Sequence, residues 1–165
     1  MKTDVLTSSY VSMDHIIKID TPAKVGFTSL VTNQSNAQVF YGGCSVNIAY
    51  ALCRLGMCAK PVLRVGGDYE SNGFKKFLEE GNVPLDGITE LPEEATSVCY
   101  LIQDNHNDHI TIFYPGAMDG KYAKPLPDEL FEDTKLGVIT VASRQDNEEF
   151  FLKNVRSTMF RLYLE

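Results

Sequence analysis

Two polar side chains and a pair of glycines form the pattern in this sequence best suited to hold a small polar ligand. Gly42 and Gly43 precede an apolar-periodic segment, and Asn47 follows the second glycine by four positions. Glycine has no Cβ atom, so the backbone there can turn sharply or approach a ligand closely. Asn47 would lie in the first turn of a helix, beside free backbone N–H groups. Upstream, Asp14 offers a carboxylate that can accept two O–H donors at once, and the pattern predicts a glycine hinge with a polar pocket edge.

Other polar residues are better explained by local structure than by chemistry. From local sequence alone, a turn or capping role is the favoured interpretation of Asp14, because it sits between two strand-like segments. Asp68 follows a short apolar strand and two glycines, so we expect a turn or helix-start residue. His106 and His109 stand three apart in a turn rich in Asn and Asp, which favours a hairpin over a metal site. No catalytic and no metal-ligating residue is identified.

The segment after the glycines must position Asn47, and its pattern is helical. Ser45 can accept a hydrogen bond at the start of the helix. Gly56 suits the left-handed residue that closes a helix. Three apolar side chains share one face at helical spacing, Ile48, Leu52 and Leu55. The sequence therefore predicts a helix that packs one apolar face against the core.

The rest of the chain alternates between short apolar strands and helical segments, as is typical of a parallel α/β sheet. Pro61–Val65 and Leu136–Val141 are predicted as strands of this sheet, and Asp4–Ser8 and Ile88–Leu91 are further strand candidates. The predicted helices are Asn72–Glu80 and Glu148–Leu162, with a surface helix over the acidic residues 125–133. Alternating apolar residues on both sides of the polar turn 104–108 predict a hairpin.

Tyr41–Gly56 resembles the N-terminal signature of the ribokinase-like carbohydrate kinases, the PfkB family. The matching residues are Gly42, Gly43, Asn47, Ala49, Ala51, Leu55 and Gly56. Residues 65–83, VGGDYESNGFKKFLEEGNV, are similar to a second landmark of the family. Residues 113–118, FYPGAM, correspond to a third landmark and resemble its form in the adenosine-kinase-like branch of the family. The resemblance covers nearly the whole chain but only about the first half of a typical family member.

The resemblance implies an α/β fold, a ribokinase-like parallel sheet flanked by helices with a small β lid, truncated at the C-terminal half. Residues 1–165 would be the N-terminal part of one domain. The lid strands would lie near residues 15–19, 38–41, 96–103 and 109–114. It also implies that Asp14 and Asn47 hold substrate hydroxyls while Gly42 and Gly43 let the lid close. For Asp14 this reverses the interpretation from local sequence.

The family's expected chemistry is transfer of the γ-phosphoryl group of ATP to a primary hydroxyl, with Mg²⁺ neutralising the phosphates. A Gly-Ala-Gly-Asp segment in the C-terminal half of the family forms the anion hole and supplies the base. No such segment follows here, and no glycine follows Gly137. We therefore expect a truncated kinase or a fragment that binds the acceptor, is inactive by itself, and leaves an open sheet edge after residues 136–141. The alternatives are a non-catalytic binding or assembly module of this fold, and an unrelated α/β domain with a coincidental glycine turn.

The acceptor is expected to be a sugar or a nucleoside. Cys44 stands where sugar kinases of the family often carry a charged residue, which favours a less polar pocket wall and a nucleoside. Phe113 and Tyr100 could stack on a base, although ordinary strand packing is the favoured interpretation. Lid strands can pair between subunits in this family, so the resemblance also allows a homodimer.

Composition restricts the other partners. The formal net charge of −7 argues against a nucleic-acid-binding surface. No apolar run is long enough to span a bilayer, and residues 1–10 contain no apolar core of a secretory leader. Four irregularly spaced cysteines are expected to be reduced thiols of a cytoplasmic protein, Cys44, Cys53, Cys58 and Cys99.

Overall fold

The computed structural model describes residues 3–8, 10–119, 125–132, 134–142, 144–156 and 161–164. The strands are β1 (Thr3–Ser8), β2 (Ser12–Lys18), β3 (Val39–Gly42), β4 (Ala59–Gly66), β5 (Ile88–Leu91), β6 (Val98–Gln103), β7 (His109–Tyr114), β8 (Thr134–Ile139) and β9 (Arg161–Leu164). The α-helices are α1 (Cys44–Arg54), α2 (Phe74–Glu80) and α3 (Arg144–Arg156). Short 3₁₀ turns occur at Gln34–Ala37, Gly116–Asp119 and Asp128–Phe131.

The larger sheet has the strand order β5-β4-β1-β8-β9, and every neighbouring pair is parallel. Every residue of β4 is buried, as expected where helices cover both faces of a parallel sheet. The predicted α/β class, with a parallel sheet flanked by helices and a small second sheet, is confirmed.

Side chains alternate between two apolar clusters, one on each face of the larger sheet. On β1, Val5 belongs to the first cluster and Leu6 to the second. Helices α1 and α2 contribute Val46 and Phe74 to the first cluster, and α3 contributes Phe150 to the second. A buried ion pair also ties α3 to the sheet, because Arg64 Nε of β4 lies 3.0 Å from both carboxylate oxygens of Asp146.

The small sheet has the order β3-β2-β6-β7, with β2 and β6 parallel and the outer pairs antiparallel. Its strands fall close to the four segments expected for a lid. The second strand begins at Ser12 rather than near residue 15, because Ser12 already pairs with Gly42. It ends at Lys18, and Ile19 makes only an isolated bridge to Val31.

Two expectations for the C-terminal part were wrong. The helix α3 extends from Arg144 to Arg156, and Leu162 belongs to β9 instead of the predicted helix. Pairing of β9 with β8, with Leu162 opposite Gly137, outweighs the weak helical pattern of these residues. The sheet consequently continues past β8, and in the described part of the chain its edge strand on this side is β9.

The acidic segment 125–133 was expected to form a surface helix. Its described residues contain a single 3₁₀ turn, Asp128–Phe131. Leu130 and Phe131 are buried in the second apolar cluster. Burial of these two side chains therefore determines the local structure, and the acidic side chains beside them do not.

None of the helices in the described part of the chain combines the length and apolar content that crossing a bilayer requires.

Candidate functional site

The two sheets meet where β1 ends. After Ser8 the chain passes through Tyr10 and Val11 into β2, and α1 begins close to this connection. In open α/β sheets, ligands bind at the carboxyl ends of the parallel strands. The polar pattern found in the sequence lies at this edge.

Gly43, the second glycine of the pair, fits tightly against the connection between β1 and β2. Gly43 has φ +112° and ψ 144°, a backbone conformation that L side chains rarely adopt. A Cβ atom there would lie 2.2 Å from the Tyr10 carbonyl oxygen. Gly42 is also buried, and a Cβ atom on it would lie 3.4 Å from Oδ1 of Asn47. Gly43 is thus required by packing, whereas a Cβ atom on Gly42 would make only an ordinary van der Waals contact with the Asn47 carboxamide.

The start of α1 differs from the sequence prediction. Gly43 is the N-cap, and its carbonyl oxygen accepts a hydrogen bond from the Asn47 amide at 2.9 Å. Ser45 stands two positions beyond the cap, so its hydroxyl cannot perform the predicted capping role. The Ser45 side chain is fully buried, and among the described residues its Oγ has no hydrogen-bond partner.

Asp14 lies half-buried on β2, with a hydroxyl on its own strand and a thiol on the neighbouring strand. The hydroxyl of Ser12 donates a hydrogen bond to Oδ1 of Asp14. On the neighbouring strand, Cys99 is the direct partner of Asp14 in the register of β2 and β6. Burial raises the pKa of the Cys99 thiol, and the nearby charge of Asp14 and a hydrogen bond to it raise that pKa further.

The sheet register defines which side chains share a face with Asp14. Successive side chains of a strand alternate between faces, and directly paired residues share one. We call the surface formed by Phe40, Asp14, Cys99 and Phe113 the site face. The opposite surface, formed by His15, Tyr100, Ile112, Ile17, Ile102 and Ile110, is the outer face.

Aromatic side chains border the site face. The rings of Tyr10 and Phe113 lie 5.1 Å apart at 59°. Burial raises the pKa of the Tyr10 hydroxyl, and the negative charges of Cys44, Cys99 and Asp14 raise it further. The exposed Cys44 at the start of α1 therefore belongs to the same neighbourhood as Asp14.

Tyr100 does not reach this neighbourhood. It stacks on His15 with 5.2 Å between ring centroids, and both lie on the outer face. Of the two aromatic residues that the sequence offered as stacking surfaces, only Phe113 shares a face with Asp14. Tyr100 is one position away from Cys99, the partner of Phe113. A shift of one residue along a strand turns the side chain to the opposite face, so Tyr100 and Phe113 lie on different faces.

The structure brings the four predicted site residues together through a short series of contacts. Gly42 pairs with Ser12 across β3 and β2, and Ser12 donates to Asp14. The Asn47 carboxamide lies against Gly42. The carboxylate and the carboxamide thus converge on one corner of the site face, where hydroxyl groups of a ligand could bind both.

Asp68 has a supporting role nearby. Its Oδ1 accepts hydrogen bonds from the amide and the hydroxyl of Thr96 at 2.8 and 2.6 Å. The Thr96 hydroxyl oxygen in turn accepts a bond from the Gly66 amide at 3.0 Å. Through these hydrogen bonds, Asp68 connects the turn after β4 to the segment that precedes β6, as expected of a turn residue.

Sequence reasoning missed Tyr10, Ser12 and Cys99. If the start of β2 had been known, Ser12 would have been placed on the same face as Asp14, because residues two positions apart in a strand share a face. Cys99 could not have been found, because its position depends on the pairing of β2 with β6.

Metal binding finds no support in the described residues. No group of three or more His, Cys, Asp and Glu side chains in that part of the chain is arranged to hold a metal ion. His106 and His109 are exposed at a hairpin turn. Oδ1 of Asp104 organises that turn by accepting bonds from the amides of His106 and Asp108 at 2.8 and 3.1 Å.

Residues 3–162 match the sequence profile of the pfkB family of carbohydrate kinases. A nucleoside kinase of Methanothermobacter thermautotrophicus is 26% identical over 114 residues, which are 69% of this chain and 36% of that protein. A nucleoside kinase of Methanocaldococcus jannaschii is 28% identical over 82 residues, 50% of this chain and 27% of that protein.

Solved structures match over almost the whole chain. The crystal structure of M. jannaschii nucleoside kinase, an archaeal member of the ribokinase family, has a TM-score of 0.83 at 19% identity and covers 99% of this chain. Burkholderia thailandensis nucleoside kinase in complex with inosine has a TM-score of 0.72 at 20% identity, covering 96%. Cryptococcus neoformans ribokinase in complex with ADP has a TM-score of 0.80 at 16% identity, covering 98%. The chain spans 52%, 51% and 50% of those three proteins, respectively.

Proposed function

Because the chain belongs to the pfkB family of carbohydrate kinases, we propose that it is the acceptor-binding, N-terminal part of an ATP-dependent nucleoside or sugar kinase. The observation that carries this proposal is the convergence of Asp14 and Asn47 on one corner of the site face through Gly42 and Ser12. The Asp14 carboxylate would accept bonds from ligand hydroxyls, and the Asn47 carboxamide would bind a further one. The reacting primary hydroxyl is thereby held in one orientation, which is a main contribution of binding to phosphoryl transfer.

A nucleoside is the acceptor we favour, in line with the adenosine-kinase-like resemblance of residues 113–118. The rings of Tyr10 and Phe113 border the site face and offer apolar surface for a base. Two relatives of this chain are nucleoside kinases, and a structural neighbour binds inosine. We further propose that residues 1–165 belong to one domain, in which β2, β3, β6 and β7 act as a lid over the acceptor.

In a full-length family member, ATP would be the phosphoryl donor and Mg²⁺ would neutralise its phosphates. The sequence has no Gly-Ala-Gly-Asp segment. We therefore assign this chain the acceptor side of the reaction, and expect it to bind without transferring phosphate. The lack of a Gly-Ala-Gly-Asp segment in this sequence also favours the alternative, a non-catalytic binding or assembly module.

All four cysteines are free thiols, which supports our placing the protein in the reducing cytoplasm.

The first experiment is calorimetry of the folded chain with adenosine, inosine and ribose, followed by a coupled assay for ADP with ATP and Mg²⁺ present. We expect binding heat with a nucleoside and no ADP above the no-enzyme rate, because the acceptor groups are in place without a recognisable donor segment. No heat with any of the three ligands would refute the acceptor site. ADP formation that depends on the acceptor would refute the inactivity of the chain.

We also propose that the outer face mediates a homodimer. Three apolar side chains on it are strongly exposed for their type, Tyr100 at 40%, Ile110 at 49% and Ile112 at 53%. Contiguous exposed apolar surface of this kind marks interaction sites. A two-fold contact would bury the same residues on both copies.

Ile112→Glu is expected to convert such a dimer to monomer, since it places a charge in the centre of the contact. Light scattering after size exclusion measures the mass directly. Thr111→Glu is the matched control, because the neighbouring residue is exposed but points to the site face. A wild-type chain that is monomeric at high micromolar concentration, or a Thr111→Glu variant that dissociates equally, would contradict the proposal.

A further inference from the structure

Asp14 stands on a strand with only two direct cross-strand neighbours. The register places Phe40 of β3 on one side and Cys99 of β6 on the other. The Phe40 side chain has no hydrogen-bonding group, so of these two neighbours Cys99 alone can donate to the carboxylate. Adjacent strands lie about 4.8 Å apart, so the Cys99 thiol and the Asp14 carboxylate are direct neighbours on one face of the sheet.

The second donor comes from the same strand. Ser12 precedes Asp14 by two residues, shares its face, and donates a hydroxyl hydrogen bond to Oδ1. Ser12 is 8% exposed and Cys99 is 7% exposed, whereas Asp14 is half-buried. The hydroxyl of Ser12 and the thiol of Cys99 thus lie in the buried part of the small sheet, whereas the Asp14 side chain is partly exposed.

This arrangement matters because the carboxylate of an aspartate has a broad, roughly two-fold preference about its terminal torsion. A carboxylate that rotates freely would present its oxygens in many directions. Donors fixed in the sheet restrict it to one orientation, and a binding group acts well only when supporting contacts hold its geometry.

We propose that Cys99 and Ser12 are positioning residues that fix the Asp14 carboxylate for binding of the acceptor hydroxyls. The inference rests on the proposed function, since it assigns Asp14 the role of binding the acceptor. Neither residue touches the ligand; each acts through Asp14. Cys99 thereby acquires a role that its burial and apolar neighbours alone would not indicate.

The test compares adenosine affinity of the wild-type chain with that of Cys99→Ala, Cys99→Ser and Ser12→Ala, by calorimetry or ligand-observed NMR. Loss of one donor is expected to weaken binding about fivefold in Cys99→Ala and about tenfold in Ser12→Ala. Cys99→Ser retains a donor and is expected to restore affinity close to wild type. Thermal unfolding of each variant checks that it is folded.

Two further measurements separate positioning from packing. In an Asp14→Asn background, Cys99→Ala is expected to have little additional effect, because the two residues act through one interaction. Independently of any ligand, the infrared S–H stretching band of Cys99 is expected to move to higher frequency in Asp14→Asn, because the thiol exchanges a charged acceptor for a neutral, weaker one.

The outcomes distinguish this inference from the proposed function. A wild-type chain that does not bind adenosine, inosine or ribose refutes the acceptor site itself. A wild-type chain that binds, combined with unchanged affinity in Cys99→Ala or an unchanged S–H band in Asp14→Asn, overturns the positioning role alone. Equal losses in Cys99→Ala and Cys99→Ser would assign the effect to packing and would likewise overturn it.

Discussion

Gly43→Ala is expected to lower the free energy of unfolding by about 4 kcal/mol, the sum of a strained backbone and an overpacked contact. The backbone of Gly43 has φ +112°, and the added methyl group would lie 2.2 Å from the Tyr10 carbonyl oxygen. Because that oxygen is part of the backbone, neither side can move away easily. Urea unfolding followed by circular dichroism measures the loss, which suits a chain without tryptophan.

Gly26→Ala and Gly56→Ala are the matched controls. These glycines also have positive φ, +82° and +87°, but a Cβ atom on either would meet no other atom within 4 Å. Each is expected to lose about 1 kcal/mol from backbone strain alone. If Gly43→Ala lost no more than these two variants, the contact with Tyr10 would not be the reason for glycine at this position.

Asp14→Asn is expected to weaken nucleoside binding about 100-fold, because hydrogen bonds to a charged acceptor are roughly twice as strong as neutral ones. The amide keeps the size of the side chain but removes the charge and replaces one acceptor oxygen with a donor. Calorimetry with adenosine or inosine measures the change. The free energy of unfolding should change little, because Asp14 is only half-buried and the amide oxygen of asparagine can still accept the hydrogen bond of the Ser12 hydroxyl.

Glu80→Gln removes the same unit of charge at the end of α2, where the side chain is 63% exposed. Its nucleoside affinity is expected to equal that of the wild-type chain, so the comparison separates a local contact from a general electrostatic effect. An equal loss in both variants, or none in Asp14→Asn, would remove Asp14 from the acceptor site.

The sequence predicted those parts of the fold that depend on residue type and local period. The continuous apolar run of β4, the helix after Gly43 and the hairpin formed by β6 and β7 all follow from such patterns. The family resemblance then supplied the order of these elements. The resemblance also predicted an acceptor-binding role for Asp14, whereas the local sequence had favoured a turn residue.

What could not be predicted depends on pairing between distant strands. Tyr100 and Phe113 looked equivalent as stacking surfaces, and only the register assigns them to opposite faces. Cys99 reaches Asp14 through the same pairing. Arg161 and Leu162 were predicted as the end of a helix because a helical period can be found in a short polar-apolar mixture. Their pairing with β8 depends on residues more than twenty positions earlier, which a local pattern does not contain.

The position of β1 between β4 and β8 has a consequence for the order of folding. Its residues are made before those of β8, yet Ser8 receives the amide and hydroxyl hydrogen bonds of Thr140, 132 positions later. Such long loops make parallel pairing slow, because closing them costs entropy before any contact is gained. On a ribosome, the strands of the small sheet would all emerge before β8 does. One edge of β1 thus stays unpaired until β8 is made, and during this interval the chain is most exposed to wrong strand pairing.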